Sequence, residues 1–323
     1  MTKTGVRRIH VLFVLILLTF AAPAAIAGST HQRITNILIL HSYHQGLQWT
    51  DSISKGIESG LAGLANDIEL HYEYLDTKRN SGNAYYEYLV AFKRYKADLN
   101  KIRYSLIICS DNNALRFIKE YGSALYPGIP VVFCGVNNFE PEMISGIRQI
   151  TGVAESIDYK GTLDLISDLH PGRTNIIVII DRTPTGAAIK NEFMREAEAF
   201  SKRFSFEYFQ DFLLDEIPNQ ISKFGRDDLI YLLTMNRDRD GRFISYTDGI
   251  RMLRDASAVP IYGSWDFYFG NGIVGGVITS GFAQGRAAAD KARQILSGKP
   301  AREIPVLTRS PNRAMFDYRE LKA

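Results

Sequence analysis

Cysteine and tryptophan are both scarce, with two of each among 323 residues. Two cysteines cannot supply the disulfide framework of a small secreted domain, so the fold must rest on a hydrophobic core. An apolar fraction of 46% is ample for one. Cys109 and Cys134 each end an apolar run. Two buried free thiols are one interpretation; a bond between neighbouring strands is the other, although that pairing strains disulfide geometry.

Several motifs that mark common enzyme classes are missing. No Gly-x-Gly-x-x-Gly follows the first apolar run, and the chain has neither a Gly-x4-Gly-Lys-Ser/Thr loop nor a Gly-x-Ser-x-Gly elbow. The sequence also has no internal repeat and no low-complexity stretch. These absences disfavour a dinucleotide-binding enzyme, a phosphate-loop nucleotidase and a serine hydrolase of the elbow type.

The chain has little excess charge. Its formal net charge of +3 equals the contribution of Lys3, Arg7 and Arg8. The rest of the sequence is formally neutral and has no basic arm, so we predict no nucleic-acid partner.

Those three basic residues begin an N-terminal segment that looks like an export signal. An apolar run from Val11 to Phe20 follows them, and Ala25-Ile26-Ala27 offers small residues at cleavage positions. We predict that residues 1–27 are a signal peptide and that the mature protein is periplasmic. The alternative is an uncleaved membrane anchor, since Val11–Ala27 is only slightly short of a span. No cysteine follows the apolar run, which disfavours a lipoprotein.

Beyond the leader, short apolar runs alternate with helical patterns, an order typical of parallel sheets covered by helices. Ile53, Ile57 and Leu61 keep helical spacing, as do Ile189, Phe193 and Ala197. The predicted strands are 36–41, 68–75, 104–109, 130–135, 174–181, 206–210, 228–234, 259–263 and 273–278. The rhythm breaks at 140–161, which favours two smaller sheets over one large sheet. We interpret the aromatic stripe at 85–95 as core and helix-face packing.

Polar and aromatic residues gather after the predicted strands, where ligands bind in open parallel sheets. They include large amphipathic rings, hydrogen-bonding side chains and three aspartates that can face a cationic group or cap the next helix. The predicted ligand-binding residues are His41, Ser42, Tyr43, Trp49, Ser110, Asp111, Asn112, Asn137, Asp181, Thr183, Asn236, Trp265 and Asp266. We expect Tyr43 with Trp49 to form one wall and Trp265 with Asp266 the other, while Asn137 and Asn236 orient the ligand.

The alternatives to simple binding have weak support. An exported enzyme would use the region of His41, Ser42 and Asp111, but neighbouring side chains on an extended segment point in opposite directions. His41 and His44 have no further Cys or His partners for zinc. The run 236–241 resembles the start of a calcium loop, yet its twelfth position is Thr247 and not Glu. We predict no metal, no cofactor and no catalysis.

The order of these segments resembles the ABC transporter substrate-binding protein family. The segments are "ILILHSY…W", "IICSDNNA", "VVFCGVNN", "IDRTPTG", "VPIYGSWDFYFGNGIVGGVITS", "GRAAADKARQILSGKPAREIPV" and "MFDYREL". The similarity covers 36–320. "HSYHQGLQWT" and "FDYREL" are especially similar to extracellular sensor domains of histidine kinases and diguanylate cyclases.

This resemblance implies the type 1 periplasmic-binding fold: two Rossmann-like α/β lobes, with parallel sheets flanked by helices, that close over a small organic ligand. It implies a first lobe of 28–155 plus 280–300 and a second of 156–279 plus 301–323. Hinges are expected near 153–158, 277–281 and 299–304. The implied partner is an ABC permease or a membrane sensor kinase or cyclase.

Overall fold

The computed structural model describes residues 34–64, 67–80, 82–100 and 102–322, without the side chains of residue 83 and residues 97–100. The predicted leader and its cleavage site lie outside these ranges. Among the described residues, no helix combines the length and the apolar character needed to cross a bilayer.

The first lobe contains a five-stranded parallel sheet in the order β2-β1-β3-β4-β5. Apolar side chains fill both faces of its central strands, as expected when helices cover both sides of a parallel sheet. The strands are β1 (Thr35–His41), β2 (Ile68–Tyr74), β3 (Tyr104–Ser110), β4 (Val131–Asn137) and β5 (Ile150–Glu155). The helices between them are α1 (Gln48–Leu61), α2 (Asn83–Asn100) and α3 (Asp111–Leu125).

The second lobe contains a six-stranded sheet in the order β11-β10-β9-β8-β6-β7, parallel except where β10 pairs with β11. Its strands are β6 (Asn175–Ile180), β7 (Ser205–Phe209), β8 (Asp228–Thr234), β9 (Ile261–Gly263), β10 (Gly275–Ile278) and β11 (Arg313–Phe316). Its helices are α4 (Tyr159–Leu169), α5 (Pro184–Ala197), α6 (Ile217–Ile221) and α7 (Tyr246–Ala256). Helix α8 (Gly281–Leu296) follows β10. The α/β fold class with two sheets is as predicted.

The sequence patterns missed two strands. β5 lies in the segment that the patterns treat as irregular, because Gly152 interrupts its short apolar run. β11 has four exposed residues at the edge of the second sheet and therefore lacks a buried pattern. The other nine strands lie where the apolar runs predict them, with ends that differ by a few residues.

Helix α8 returns to the first lobe and packs against α1, β4 and β5. Glycines bring the two helices into close contact: a Cβ built on Gly285 would lie 2.1 Å from the carbonyl oxygen of Ile53. A Cβ on Gly56 would lie 2.2 Å from the carbonyl oxygen of Phe282. Only glycine fits at such approaches of backbone to backbone.

Three segments connect the lobes, and the third differs from the prediction. After α8, residues 304–307 run beside β5, where the amide of Leu307 donates to the carbonyl of Gly152 at 2.9 Å. The chain reaches the second sheet only at β11, so the crossing lies at 308–312 and not at 299–304. Residues 304–307 accordingly pack with the first lobe, although the predicted division places 301–323 with the second.

Candidate functional site

The carboxyl ends of β1 and β3 carry a buried polar network. The Nδ1 atom of His41 lies 2.8 Å from the Ser110 hydroxyl, and its Nε2 lies 2.9 Å from the Ser54 hydroxyl. Burial lowers the pKa of His41 to about 4, so the ring is neutral at physiological pH. The Ser42 hydroxyl donates to the carbonyl oxygen of Ser110 and accepts from the amide of Ala114, both at 2.7 Å.

These contacts give His41 and Ser42 structural roles. The imidazole bonds to Ser110 and Ser54, and no bond joins it to the Ser42 hydroxyl among the described residues. A serine nucleophile needs a base within hydrogen-bond reach and access to substrate. His41, Ser42 and Ser110 are all almost completely buried. The geometry therefore gives no support to the enzyme hypothesis centred on them.

Asp111 is a buried carboxylate at the start of α3. Its Oδ1 accepts from the indole N–H of Trp49 at 2.8 Å, and its Oδ2 accepts from the Ser110 hydroxyl at 3.0 Å. Burial raises the pKa of Asp111 to about 6, while the hydrogen bonds from Trp49 and Ser110 and the positive charge of Lys78 oppose the rise. Its backbone has a φ of 68°, a left-handed conformation that non-glycine residues rarely adopt and that is often found at functional sites.

Glu155 is a second buried carboxylate, and the sequence patterns missed it together with its strand β5. Its Oε2 accepts from the side-chain amide of Asn137 at 3.2 Å, and its Oε1 accepts from the indole N–H of Trp265 at 3.5 Å. Burial raises its pKa to about 8, and the negative charge of Asp111 adds to the rise. The two tryptophans of the chain thus each donate to one member of a carboxylate pair.

Aromatic rings from both lobes lie next to this pair. Phe267 stacks on Tyr246 at 4.1 Å between ring centroids and on Trp265 at 5.9 Å. Burial raises the pKa of Tyr43 well above its ordinary value, and Asp111, Glu155 and Tyr246 contribute further. Tyr43 follows β1 in the first lobe and Tyr246 begins α7 in the second. The carboxylates and the rings therefore meet where the lobes touch.

Lys78 joins the lobes across this aromatic group. Its Nζ lies 4.7 Å from the ring centroid of Tyr43 and 5.8 Å from that of Tyr246, and it donates to the Tyr246 hydroxyl at 3.3 Å. Lys78 lies in the loop after β2, which is also the carboxyl end of a strand. Choosing the polar residues that directly follow a predicted strand would therefore have included Lys78. Tyr246 lies well beyond the end of β8, so this rule could not have found it.

The remaining predicted residues have local partners. The Asp181 carboxylate accepts from the Thr183 hydroxyl at 2.5 Å and from the backbone N–H of Asn236 at 2.7 Å, and Thr183 caps α5. These three residues form a separate group in the second lobe. Tyr268 lies between this group and the aromatic rings: its ring contacts that of Tyr246, and the negative charge of Asp181 helps to raise its pKa.

Asn112 and Asp266 each connect two segments of the chain. Asn112 exchanges two hydrogen bonds with the backbone of Asn137. Asp266 accepts from the Ser280 hydroxyl and the Gly281 amide, and burial raises its pKa. The N-cap residue of α8 is Ser280, whose hydroxyl accepts from the amide of Ala283, and Asp266 supports that cap from a neighbouring segment.

Cys109 and Cys134 are free and buried, and burial raises the pKa of both thiols. The described residues contain no group of three or more His, Cys, Asp or Glu side chains arranged to hold a metal ion.

Comparison with known proteins gives one family match. A model described as "ABC transporter substrate binding protein" matches residues 44–318. None of the curated protein sequences matches the chain.

Solved structures share the fold at low sequence identity. The ligand-free, open form of CD0873, a substrate binding protein with adhesive properties from Clostridium difficile, is 14% identical with a TM-score of 0.64, over 90% of this chain and 94% of that one. The ABC domain in complex with L-Trp from Streptococcus pneumonia is 16% identical with a TM-score of 0.58, over the same shares. The ligand-free complex of the TorS sensor domain with TorT is 13% identical with a TM-score of 0.55, over 87% of this chain and 92% of that one.

Proposed function

Because the chain belongs to the ABC transporter substrate binding protein family, we propose that it is an exported receptor that binds a small organic ligand between its two lobes. The ligand has a protonated amine or similar cation attached to a flat apolar body. Members of this family are substrate-binding proteins, and two structures with a similar fold are complexes, one with L-Trp and one with myo-inositol. The proposed receptor accordingly performs no chemistry on its ligand.

The observation that carries this proposal is the buried pair Asp111 and Glu155. Within the described residues, neither carboxylate forms an ion pair with Lys, Arg or His. A buried carboxylate without an ion-pair partner is unfavourable in its charged form, and the raised pKa values of both groups reflect this. The positive charge of Lys78 lowers the pKa of Asp111, but burial has the larger effect. A cationic ligand would restore the charged form and gain a charge-assisted hydrogen bond.

The aromatic rings supply a second reason for a cation. An ammonium group within about 6 Å of a tyrosine or tryptophan ring is attracted by the negative face of the ring. Lys78 already uses this attraction with Tyr43 and Tyr246. The rings of Trp265 and Phe267 add flat apolar surface for the body of the ligand.

The thirteen predicted site residues then take different roles. Tyr43, Asp111, Asn137 and Trp265 line the cleft together with Glu155, Lys78, Tyr246 and Phe267. Trp49 and Ser110 hold Asp111 in position, while His41 and Ser42 support the backbone beneath it. In the second lobe, the far end of the cleft is formed by Asp181, Thr183 and Asn236. Asn112 and Asp266 hold the loops at the cleft in position.

The partner is an ABC permease, as the family implies. The similarity to the TorS sensor domain with TorT supports a second candidate, in which the closed receptor acts on a membrane sensor kinase or cyclase. In both cases the protein acts in the periplasm, and the partner recognises its closed form.

A matched set of ligands tests the proposal. Thermal unfolding is followed with phenethylamine, 2-phenylethanol and 3-phenylpropionate, which share a ring and differ in charge. We expect stabilisation by the amine, since a ligand at 100 times its Kd adds about 2.7 kcal/mol to the free energy of unfolding. The shift should be lost in Asp111→Asn and Glu155→Gln, and kept in Asp290→Asn, which changes an exposed carboxylate.

Two outcomes would contradict the proposal. Equal stabilisation by the alcohol or the carboxylate would remove the role of the cation. Stabilisation by the amine that survives both substitutions would place its site elsewhere.

A further inference from the structure

Helix α2 presents aromatic residues to solvent. Tyr88, Phe92 and Tyr95 are 63%, 48% and 63% exposed, and the rings of Tyr88 and Phe92 stack at 6.3 Å. The opposite face of the helix, with Leu89 and Val90, is buried in the first lobe. The aromatic stripe at 85–95 is therefore only partly the core packing that the sequence analysis expected. A helix with a single packed face has no need of aromatic residues on its outer face.

The exposed residues follow the spacing of a helix–helix seam. Ala84, Tyr88, Ala91 and Tyr95 are all exposed and are separated by four, three and four residues. This is the a/d pattern by which two helices pack side by side. Ala84 and Ala91 alternate with the two tyrosines and leave room for the rings of a facing helix, so the seam is complementary to a second copy of itself.

The charges beside the seam favour one orientation. Glu87 and Arg94 are both exposed and lie seven residues apart, which places them on the same edge of the stripe. Neither forms an ion pair within the described residues. In an antiparallel pair, the same edges of the two helices face each other, so Glu87 of each copy meets Arg94 of the other. A parallel pair would set Glu87 against the edge that carries Phe92 and would leave both charges unpaired.

We propose that two copies of this chain associate through α2, antiparallel about a two-fold axis near Ala91. The pairing is isologous, the commonest symmetry of soluble oligomers. The seam from Ala84 to Tyr95 is only about 18 Å long at 1.5 Å per residue, so the dimer is reversible and depends on concentration. None of the residues proposed to bind ligand belongs to the seam.

Sedimentation velocity of the purified exported protein over a range of concentrations tests this pairing. We expect a monomer–dimer equilibrium that Phe92→Glu shifts to monomer. The matched control is Phe243→Glu, because Phe243 is 70% exposed in the second lobe and lies outside the seam. Circular dichroism checks that each variant is folded. A wild-type protein that stays monomeric at every concentration, or a dimer that Phe92→Glu leaves intact, would overturn the proposal.

Charge reversal tests the orientation with variants that keep both rings. Glu87→Arg and Arg94→Glu each replace two attractive contacts by two repulsive ones, which should raise the dimer Kd about tenfold. The double variant restores both pairs between copies and should return the Kd to the wild-type value. A double variant as weak as the single ones would contradict the antiparallel dimer.

Discussion

At the scale of single residues, the main feature is a pair of buried carboxyl groups, in which the charge of Asp111 raises the pKa of Glu155. Glu155 and Asp111 each accept hydrogen bonds from an indole and one further side chain. Those donors favour the charged forms, but burial has the larger effect and raises both pKa values. We therefore expect a cationic ligand to displace a proton from these carboxyl groups.

The raised pKa of Glu155 predicts how stability depends on pH. Its pKa is about 8 in the folded protein and 4.5 as an ordinary value, so the folded state holds the proton more tightly. The free energy of unfolding should therefore fall as pH rises from about 4.5 to about 8, by about 1.4 kcal/mol per unit of pKa difference at most. Urea unfolding at pH 5 and pH 8, without ligand, measures this.

Glu155→Gln should flatten that pH dependence and make the protein more stable than wild type at pH 8. Glu120→Gln, at an exposed position of α3, serves as the control and should follow the wild-type curve. Parallel curves for wild type and Glu155→Gln would show that the carboxyl titrates normally.

At the scale of elements, the backbones of α1 and α8 approach each other closely at Gly56 and Gly285. Gly285→Ala would place a Cβ against the backbone of α1, where no side chain can move aside. We expect a loss of about 1–3 kcal/mol in the free energy of unfolding, as for other overpacked sites. Gly172→Ala, with nothing within 4 Å of the added Cβ, should be close to neutral. Equal stability of both variants in urea would contradict the close packing.

The same elements explain how much the sequence could predict. Apolar runs with buried faces, such as β1 and β8, are visible because burial on both sides leaves a continuous pattern. β11 is exposed along its whole length, and its pairing with β10 depends on a contact distant in sequence. Glu155 was missed with its strand, and Tyr246 joins the site only through the meeting of the lobes.

At the scale of the whole molecule, we expect the two lobes to move relative to each other about the three segments that connect them. Asn312 and Thr279 both donate to the carbonyl of Ser156, which joins the three connecting segments in one hydrogen-bonded group. Few residues lie in these segments, as is typical of hinges. Lys78 and Tyr246 are the contact that closure would form or strengthen.

The central claim is that the cation of the ligand closes the lobes over Asp111 and Glu155. Small-angle scattering with and without phenethylamine tests this claim most directly. The account predicts that saturating amine reduces the radius of gyration of the wild-type protein and leaves that of Glu155→Gln unchanged. An unchanged wild-type radius with bound amine, or equal compaction of the variant, would contradict it.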